Sequence, residues 1–127
     1  MKKYALSIKQ PWADMILKNK KSIELRRWNS HFRGEFYIHA SKTIDKEACK
    51  EFDIDPKSLT CGSIIGKANL LDVKEYFNKS QFEKDSLKHM ASFYGFAIPM
   101  YGFILDDVEE IEPIEIKGKL KFFEVDY

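Results

Sequence analysis

The sequence predicts an α+β domain built on a small barrel. Several short strand-like segments are separated by turn residues, one helical segment follows the first strand, and a second lies near residues 80–91. Short strands punctuated by turn signals are typical of small barrels. With 127 residues, 44% of them hydrophobic and 14% aromatic, the chain can bury one core but is too short for two typical domains. We therefore predict a single domain over residues 1–127.

The N-terminal segment predicts a strand, a short helix, a turn and a second strand. Pro11 suits the first turn of a helix, where its missing N–H would have no partner. The helix should end near Lys18, because Asn19 tolerates the left-handed conformation in which helices often end. Strand side chains alternate, so Glu24 and Arg26 should share the polar face of the second strand.

The middle of the chain predicts further strands and one more short helix. In chain order we predict a strand over residues 34–41, a helix over 44–52, a loop over 53–62 and a strand over 63–73. Six carboxylates between residues 106 and 115 indicate a solvent-exposed sheet edge that discourages pairing with other chains.

A helical insertion is predicted over residues 78–92. Ser80 and Glu83 have the spacing of a capping box, in which each side chain satisfies a free backbone N–H at the start of a helix. The aromatic residues that follow suit either a core or a surface that stacks unpaired bases. The buried side of the insertion should consist of three apolar residues, Phe82, Leu87 and Met90.

Lys21, Glu24 and Arg26 form a candidate site, because they place two cations and a carboxylate beside the end of a helix. Two interpretations are open. The three residues can form an exposed ion network, which contributes little to stability, or they can hold a ligand. Trp12, in the preceding helix, is either a core residue or a surface on which a ligand stacks.

The charge is unevenly distributed along the chain. The net charge is +1, yet residues 1–50 carry 12 Lys and Arg against 5 Asp and Glu, a net of +7, and the other 77 residues carry 9 against 15, a net of −6. This asymmetry predicts a basic face around the charged cluster, as phosphate binding requires. The alternative is that the two parts of the chain interleave in space and the basic face disappears.

Several classes of protein are not indicated. No segment approaches the roughly 20 apolar residues of a membrane-spanning helix, and the N-terminus lacks the features of a secretory signal. We therefore expect a cytoplasmic protein with no membrane association.

Cys49 and Cys61 stand apart without a second ligand at zinc spacing, so we expect no metal site, no cofactor and no disulfide. Oligomeric state is not indicated by the sequence.

The N-terminal motifs resemble those of the ASCH domain family, whose signature is G-x-K-x-x-E-x-R after a strand and helix that often carry Q-P-W. In this chain Asn19 stands at the glycine position, and the other three fixed positions are Lys21, Glu24 and Arg26. Residues 33–42 resemble the R-G-x-x-x-I-H-A-x-K strand of the coactivator-like branch. The similarity extends to the closing strands of that branch, so it covers nearly the whole chain.

This resemblance implies a PUA-like β-barrel, whose relatives bind RNA and sometimes hold a single modified base in a cleft. It also implies that Lys21, Glu24 and Arg26 line a cleft between the first helix and the barrel. The cations would hold phosphate or a base carbonyl, and the carboxylate would accept from a base amino group. Trp12 would supply a stacking wall. The rim would be completed by Gln10, His39, Ser41 and Lys42.

The function predicted on this basis is a small module that binds RNA or single-stranded DNA and reads a base or modified nucleoside. One alternative is an enzyme, because ASCH branches resemble amidohydrolases that deacylate acetylated cytidine and include ribonucleases. The amidohydrolase branch has Thr at the position of Glu24, which disfavours that activity here. Hydrolysis by Lys21 with Glu24 or His39 stays open. A second alternative is a protein-interaction module in transcription.

Overall fold

The computed structural model describes residues 2–126, which form one mixed sheet flanked by short helices. The α+β prediction is confirmed. The strands within the described residues are β1 Lys3–Gln10, β2 Ile23–Arg26, β3 Gly34–Ile44, β4 Ser63–Glu75, β5 Tyr101–Glu115 and β6 Phe122–Val125. The helices there are α1 Trp12–Leu17, α2 Lys46–Glu51, α3 Lys79–Lys84 and α4 Ser86–His89, with 3-10 turns at Pro56–Ser58 and Ser92–Tyr94. None of these helices has the length and apolarity needed to span a bilayer.

The sheet has the strand order β2-β5-β4-β3-β1-β6. Neighbouring strands are antiparallel except β1 and β3, which are parallel. Among residues 2–126 no ladder of hydrogen bonds joins the outer strands β2 and β6, so the sheet is not closed into the small barrel that the sequence predicts. Both outer strands have only four residues, which limits how far hydrogen bonding can extend at the edges.

Aromatic side chains connect the two ends of the curled sheet. Phe103 of β5 and Phe122 of β6 stack with their ring centroids 6.2 Å apart. Trp28, just after β2, packs its ring edge-on against both, at 5.2 Å from Phe103 and 6.1 Å from Phe122. The sheet therefore encloses its core through side-chain packing, where a barrel would use hydrogen-bonded strands.

The turn from β1 into α1 depends on a buried glutamine. Gln10 Oε1 accepts from the Asp14 N–H at 2.9 Å, and Gln10 Nε2 donates to the Thr60 carbonyl at 2.8 Å. The first bond satisfies a free N–H of the helix, which has no capping hydrogen bond from Pro11 itself. At the other end, Asn19 has φ 59°, so the predicted left-handed residue after α1 is confirmed.

The capping residue of the helical insertion lies two residues before the predicted one. Asn78 caps α3 by accepting from the Gln81 N–H at 2.9 Å, and Gln81 Oε1 accepts from the Phe77 N–H at 2.9 Å. Asn78 thus satisfies one free N–H of the first helical turn, and Gln81 reaches back to the residue before the cap, in an arrangement that resembles a capping box. The prediction that Ser80 and Glu83 form the capping box is wrong, because both lie inside the helix.

The insertion contains two helices because the chain turns at Asp85. The Asp85 carboxylate is buried and accepts from the Tyr76 hydroxyl at 2.6 Å and from Lys74 at 2.7 Å. Phe82 is buried, as predicted, and stacks on His89 with ring centroids 4.2 Å apart. Leu87 is 86% exposed, so its predicted burial is wrong. The break at Asp85 changes the helical register on which that prediction relied.

The acidic segment forms an exposed edge, as predicted. β2 pairs with β5 only from Tyr101 to Ile104, so the rest of β5 has β4 on one side alone. Lys67 of β4 lies 3.4 Å from Glu109 and 3.6 Å from Glu35 on the neighbouring strands.

The two apolar residues of the insertion should respond differently to truncation. We expect Phe82→Ala to lower the free energy of unfolding by about 3–5 kcal/mol, because it removes a buried aromatic ring. Leu87→Ala should change the free energy of unfolding by less than about 0.5 kcal/mol, because the side chain is exposed. Equilibrium denaturation of both variants and the wild type measures these values, and similar losses for both would contradict the observed register.

Candidate functional site

The charged cluster after α1 is buried. Lys21 is 3% exposed and Glu24 is 7% exposed. Lys21 Nζ donates to the His89 carbonyl at 2.6 Å and lies 3.6 Å from Glu24 Oε1. Glu24 Oε2 accepts from Arg26 at 2.9 Å, and the Arg26 guanidinium also donates to the Ser7 carbonyl at 3.0 Å. The interpretation as an exposed ion network is therefore wrong, because these charges are paired away from bulk water.

Burial changes the acidity of the lysine. Desolvation lowers the pKa of Lys21 from 10.5 to about 8, although the neighbouring Glu24 carboxylate opposes this change. The ammonium also lies 4.6 Å from the ring centroid of Trp12, a distance at which a cation is attracted to an aromatic face. Lys21 therefore loses its proton in a pH range close to that of most cells.

Trp12 is held in place on several sides. Its indole N–H donates to Asp45 Oδ2 at 2.9 Å, and Phe93 stacks nearly parallel to it with centroids 6.1 Å apart. Phe52 packs edge-on at 5.7 Å. Asp45 also accepts from the hydroxyl of Tyr94. Together with Lys21, these contacts leave the Trp12 ring little free surface for stacking.

An open cleft of about 660 Å³ lies beside this cluster. We call it the central cleft. Its lining combines six cations, three aromatic rings and, among the described residues, a single carboxylate, Glu24. The cations are Lys9, Lys21, Arg26, Arg27, Lys119 and Lys121, and the aromatic residues are Trp12, Trp28 and Tyr94.

The cleft lies where β1 and β2 diverge. Ser7 and Lys9 come from β1, and the cluster residues come from β2 and the turn before it. These strands are not hydrogen-bonded partners in the sheet, and the Arg26 side chain bridges from β2 to the β1 backbone. Two loops complete the walls, one around Tyr94 and one between β5 and β6.

The loop between β5 and β6, residues 116–121, is positioned by a buried histidine. We call this loop the strap. His39 Nε2 donates to the Ile116 carbonyl at 2.7 Å, and Nδ1 lies 3.0 Å from the Ser7 hydroxyl. A carbonyl only accepts, so Nε2 carries a proton. Gly118 packs closely here, since a Cβ at that position would lie 2.8 Å from His39 Cε1 and 3.0 Å from Ser7 Oγ.

The structure brings together five of the eight residues predicted for the site. Lys21, Glu24, Arg26, Trp12 and Ser41 line the central cleft. The other three do not. Gln10 is buried and caps α1, His39 is buried and holds the strap, and Lys42 lines a neighbouring depression and not the central cleft.

Sequence reasoning missed several cleft residues. Trp28 lies two residues after Arg26, the last residue of the signature strand, and this proximity was a usable signal. Lys119 and Lys121 gave no signal, because they lie about 100 positions away in the acidic part of the chain. The cleft is thus basic through residues of both parts of the sequence. Among residues 2–126 no group of three or more His, Cys, Asp or Glu side chains is placed to hold a metal ion.

Comparison with known proteins identifies related folds. The model of the ASCH domain matches residues 6–117. The crystal structure of ASCH from Zymomonas mobilis is similar with a TM-score of 0.71 at 15% identity, covering 98% of this chain and 87% of that chain. A tyrosine-to-phenylalanine mutant of the Zymomonas mobilis protein gives a TM-score of 0.65 at 19% identity, covering 91% and 76%. No curated protein sequence matches this chain. At these identities the structural likeness shows the fold alone.

The lowered pKa of Lys21 predicts a specific dependence of stability on pH. Between pH 8 and 10.5 the unfolded chain still binds the proton that folded Lys21 has released, so the free energy of unfolding should rise with pH. The expected rise from this residue is about 3 kcal/mol. Below pH 8 both states are protonated, and the cost of burying the charge is fully present.

Denaturation of wild type and Lys21→Met across this pH range measures the effect. Titrations elsewhere in the chain are common to both proteins, so the difference between the two curves isolates Lys21. The wild type should gain stability relative to the variant as the pH rises. Parallel curves would contradict the lowered pKa.

Proposed function

Because this chain belongs to the ASCH domain family, we propose that it is a small module that binds single-stranded RNA or DNA in the central cleft. The observation that carries this proposal is the lining of the cleft, where six cations, three aromatic rings and one carboxylate of residues 2–126 surround about 660 Å³. The volume lies within the range of small-molecule binding sites and suits one nucleotide. Cations supply phosphate contacts, and aromatic faces supply base stacking.

The exposed cations are the proposed phosphate ligands. Lys9, Arg27, Lys119 and Lys121 are solvent-exposed. Among residues 2–126 none of these four side chains forms an ion pair with a carboxylate. Arg27 is oriented by the Ala97 carbonyl at 3.2 Å. An unpaired exposed cation can exchange its counterions for a phosphate.

Trp28 is the proposed stacking surface, in place of Trp12. Trp28 is half-buried, whereas Trp12 is buried. The Trp28 ring packs edge-on against Phe103 and Phe122 where it lines the cleft. Lys121 Nζ lies 5.4 Å from the centroid of this ring. Stacking of a base on such a ring contributes about 1–3 kcal/mol. Glu24 retains acceptor capacity beyond Lys21 and Arg26, because each carboxylate oxygen has two lone pairs. It is the proposed acceptor for a base amino group.

Removing two cleft cations should weaken binding. We expect Lys9→Gln combined with Lys121→Gln to lower the affinity for a single-stranded oligonucleotide about tenfold at low salt, and to reduce the slope of log K against log salt by about 1.4. Trp12 and Trp28 are the chain's two tryptophans and both line the cleft, so tryptophan fluorescence reports binding.

The control is Lys20→Gln combined with Lys50→Gln, which removes the same charge at exposed positions outside the cleft. Its affinity and salt slope should stay close to those of the wild type, apart from the small effect of net charge. Equal affinities for the cleft variant and the control would refute the proposed phosphate contacts.

A second candidate function is hydrolysis of RNA or of a modified nucleoside. The observation that favours it is the lowered pKa of Lys21, near 8, beside Glu24 in the same cleft. A general base works best when its pKa lies near the operating pH. A neutral Lys21 amine would accept a proton from an attacking hydroxyl or water, and Glu24 would orient that amine.

Glu24→Gln tests this second candidate. If the cleft is catalytic, turnover of oligonucleotides or acylated nucleosides should disappear in the variant, because the neutral amide cannot form an ion pair with Lys21. Binding measured by tryptophan fluorescence should persist, and a thermal unfolding transition confirms that the variant is folded. Turnover at the wild-type rate in the folded variant would remove Glu24 from the mechanism.

A further inference from the structure

A second depression lies on the other side of the strap. We call it the second groove, a space of about 760 Å³ whose lining includes Lys42, Lys117 and Lys119. The two depressions share part of their walls. Lys119 and Leu120 of the strap line both, as do Ser7 and Ser41 beneath it. The strap therefore separates two neighbouring parts of one continuous surface.

The second groove differs from the central cleft in its chemistry. Within the described chain no Phe, Tyr or Trp lines it, and its one imidazole ring, that of His39, is buried, so it offers no exposed ring on which a base can stack. Among the described residues its lining contains three lysines and one carboxylate, that of Glu115. Within residues 2–126 none of the three ammonium groups is ion-paired. His39 lies against this groove, but both of its ring nitrogens are already engaged.

We propose that the second groove binds the phosphodiester backbone that flanks the nucleotide held in the central cleft. This inference rests on the proposed function and specifies its ligand as a polynucleotide strand. A site with exposed cations and no exposed aromatic ring suits phosphates, whereas the adjoining site with Trp28 suits a base. The bound strand crosses the strap beside Leu120. It passes next to Lys119, which lines both depressions.

The proposal separates two kinds of ligand. A nucleoside monophosphate occupies the central cleft alone, so it gains nothing from the second groove. A tetranucleotide reaches both, so its affinity includes the contacts of Lys42 and Lys117. These two lysines line only the second groove, and their replacement leaves the lining of the central cleft unchanged.

The test compares Lys42→Gln combined with Lys117→Gln against the wild type and a charge-matched control. The control is Lys79→Gln combined with Lys84→Gln, at two exposed positions on α3 that line neither depression. Tryptophan fluorescence measures binding of a nucleoside 5′-monophosphate and of RNA and DNA tetranucleotides. The groove variant should bind at least one tetranucleotide about tenfold more weakly than the control does, with a salt slope smaller by about 1.4.

Monophosphate affinity should be the same in all three proteins. A loss of affinity confined to the RNA or to the DNA tetranucleotide supports the proposal and identifies which backbone the groove binds. A loss of affinity for both tetranucleotides supports the proposal equally. Tetranucleotide affinity equal to that of the control overturns the proposal while the proposed function stands. An equal loss for the monophosphate also overturns it, because the lysines would then act in the central cleft. Failure of the wild type to bind any of the three ligands overturns both the proposed function and this inference.

Discussion

The buried ion pair between Lys21 and Glu24 determines how the walls of the central cleft are arranged. Lys21 fixes the end of the helical insertion by donating to the His89 carbonyl. Glu24 holds Arg26, and Arg26 reaches the β1 backbone at Ser7. One chain of charged contacts thus connects the insertion, β2 and β1. Each charge depends on its partner, because an unpaired charge in this environment carries a large desolvation cost.

The central cleft depends on the sheet being open, because it lies between two strands that do not pair. β1 and β2 are consecutive strands, yet they are separated in the sheet order, and the Arg26 side chain bridges the gap between them. A closed barrel would fill this space with a strand pair. Here Trp28, Phe103 and Phe122 seal the core below, and the space above them stays open. Trp28 therefore takes part both in the core packing and in the lining of the cleft.

The distribution of charge makes the surface around the two depressions basic. A net charge of +1 does not indicate a nucleic-acid-binding protein, but the cations converge on one region. The strap contributes to this convergence of cations. Its lysines come from the acidic part of the sequence but lie beside cations of the basic part. Its position is determined by His39 and by the absence of a side chain at Gly118. A buried histidine thus determines where the lysines of the strap lie.

The sequence by itself determined the local structure of the N-terminal unit and the identity of the charged cluster. Pro11 and Asn19 bound the first helix through their own backbone preferences, and spacing within one strand brings Glu24 and Arg26 together. Only the tertiary structure decided that the cluster is buried, that the sheet stays open and that Lys119 and Lys121 join the cleft. Burial and long-range proximity depend on how all six strands of the described chain pack, and no window of the sequence contains that information.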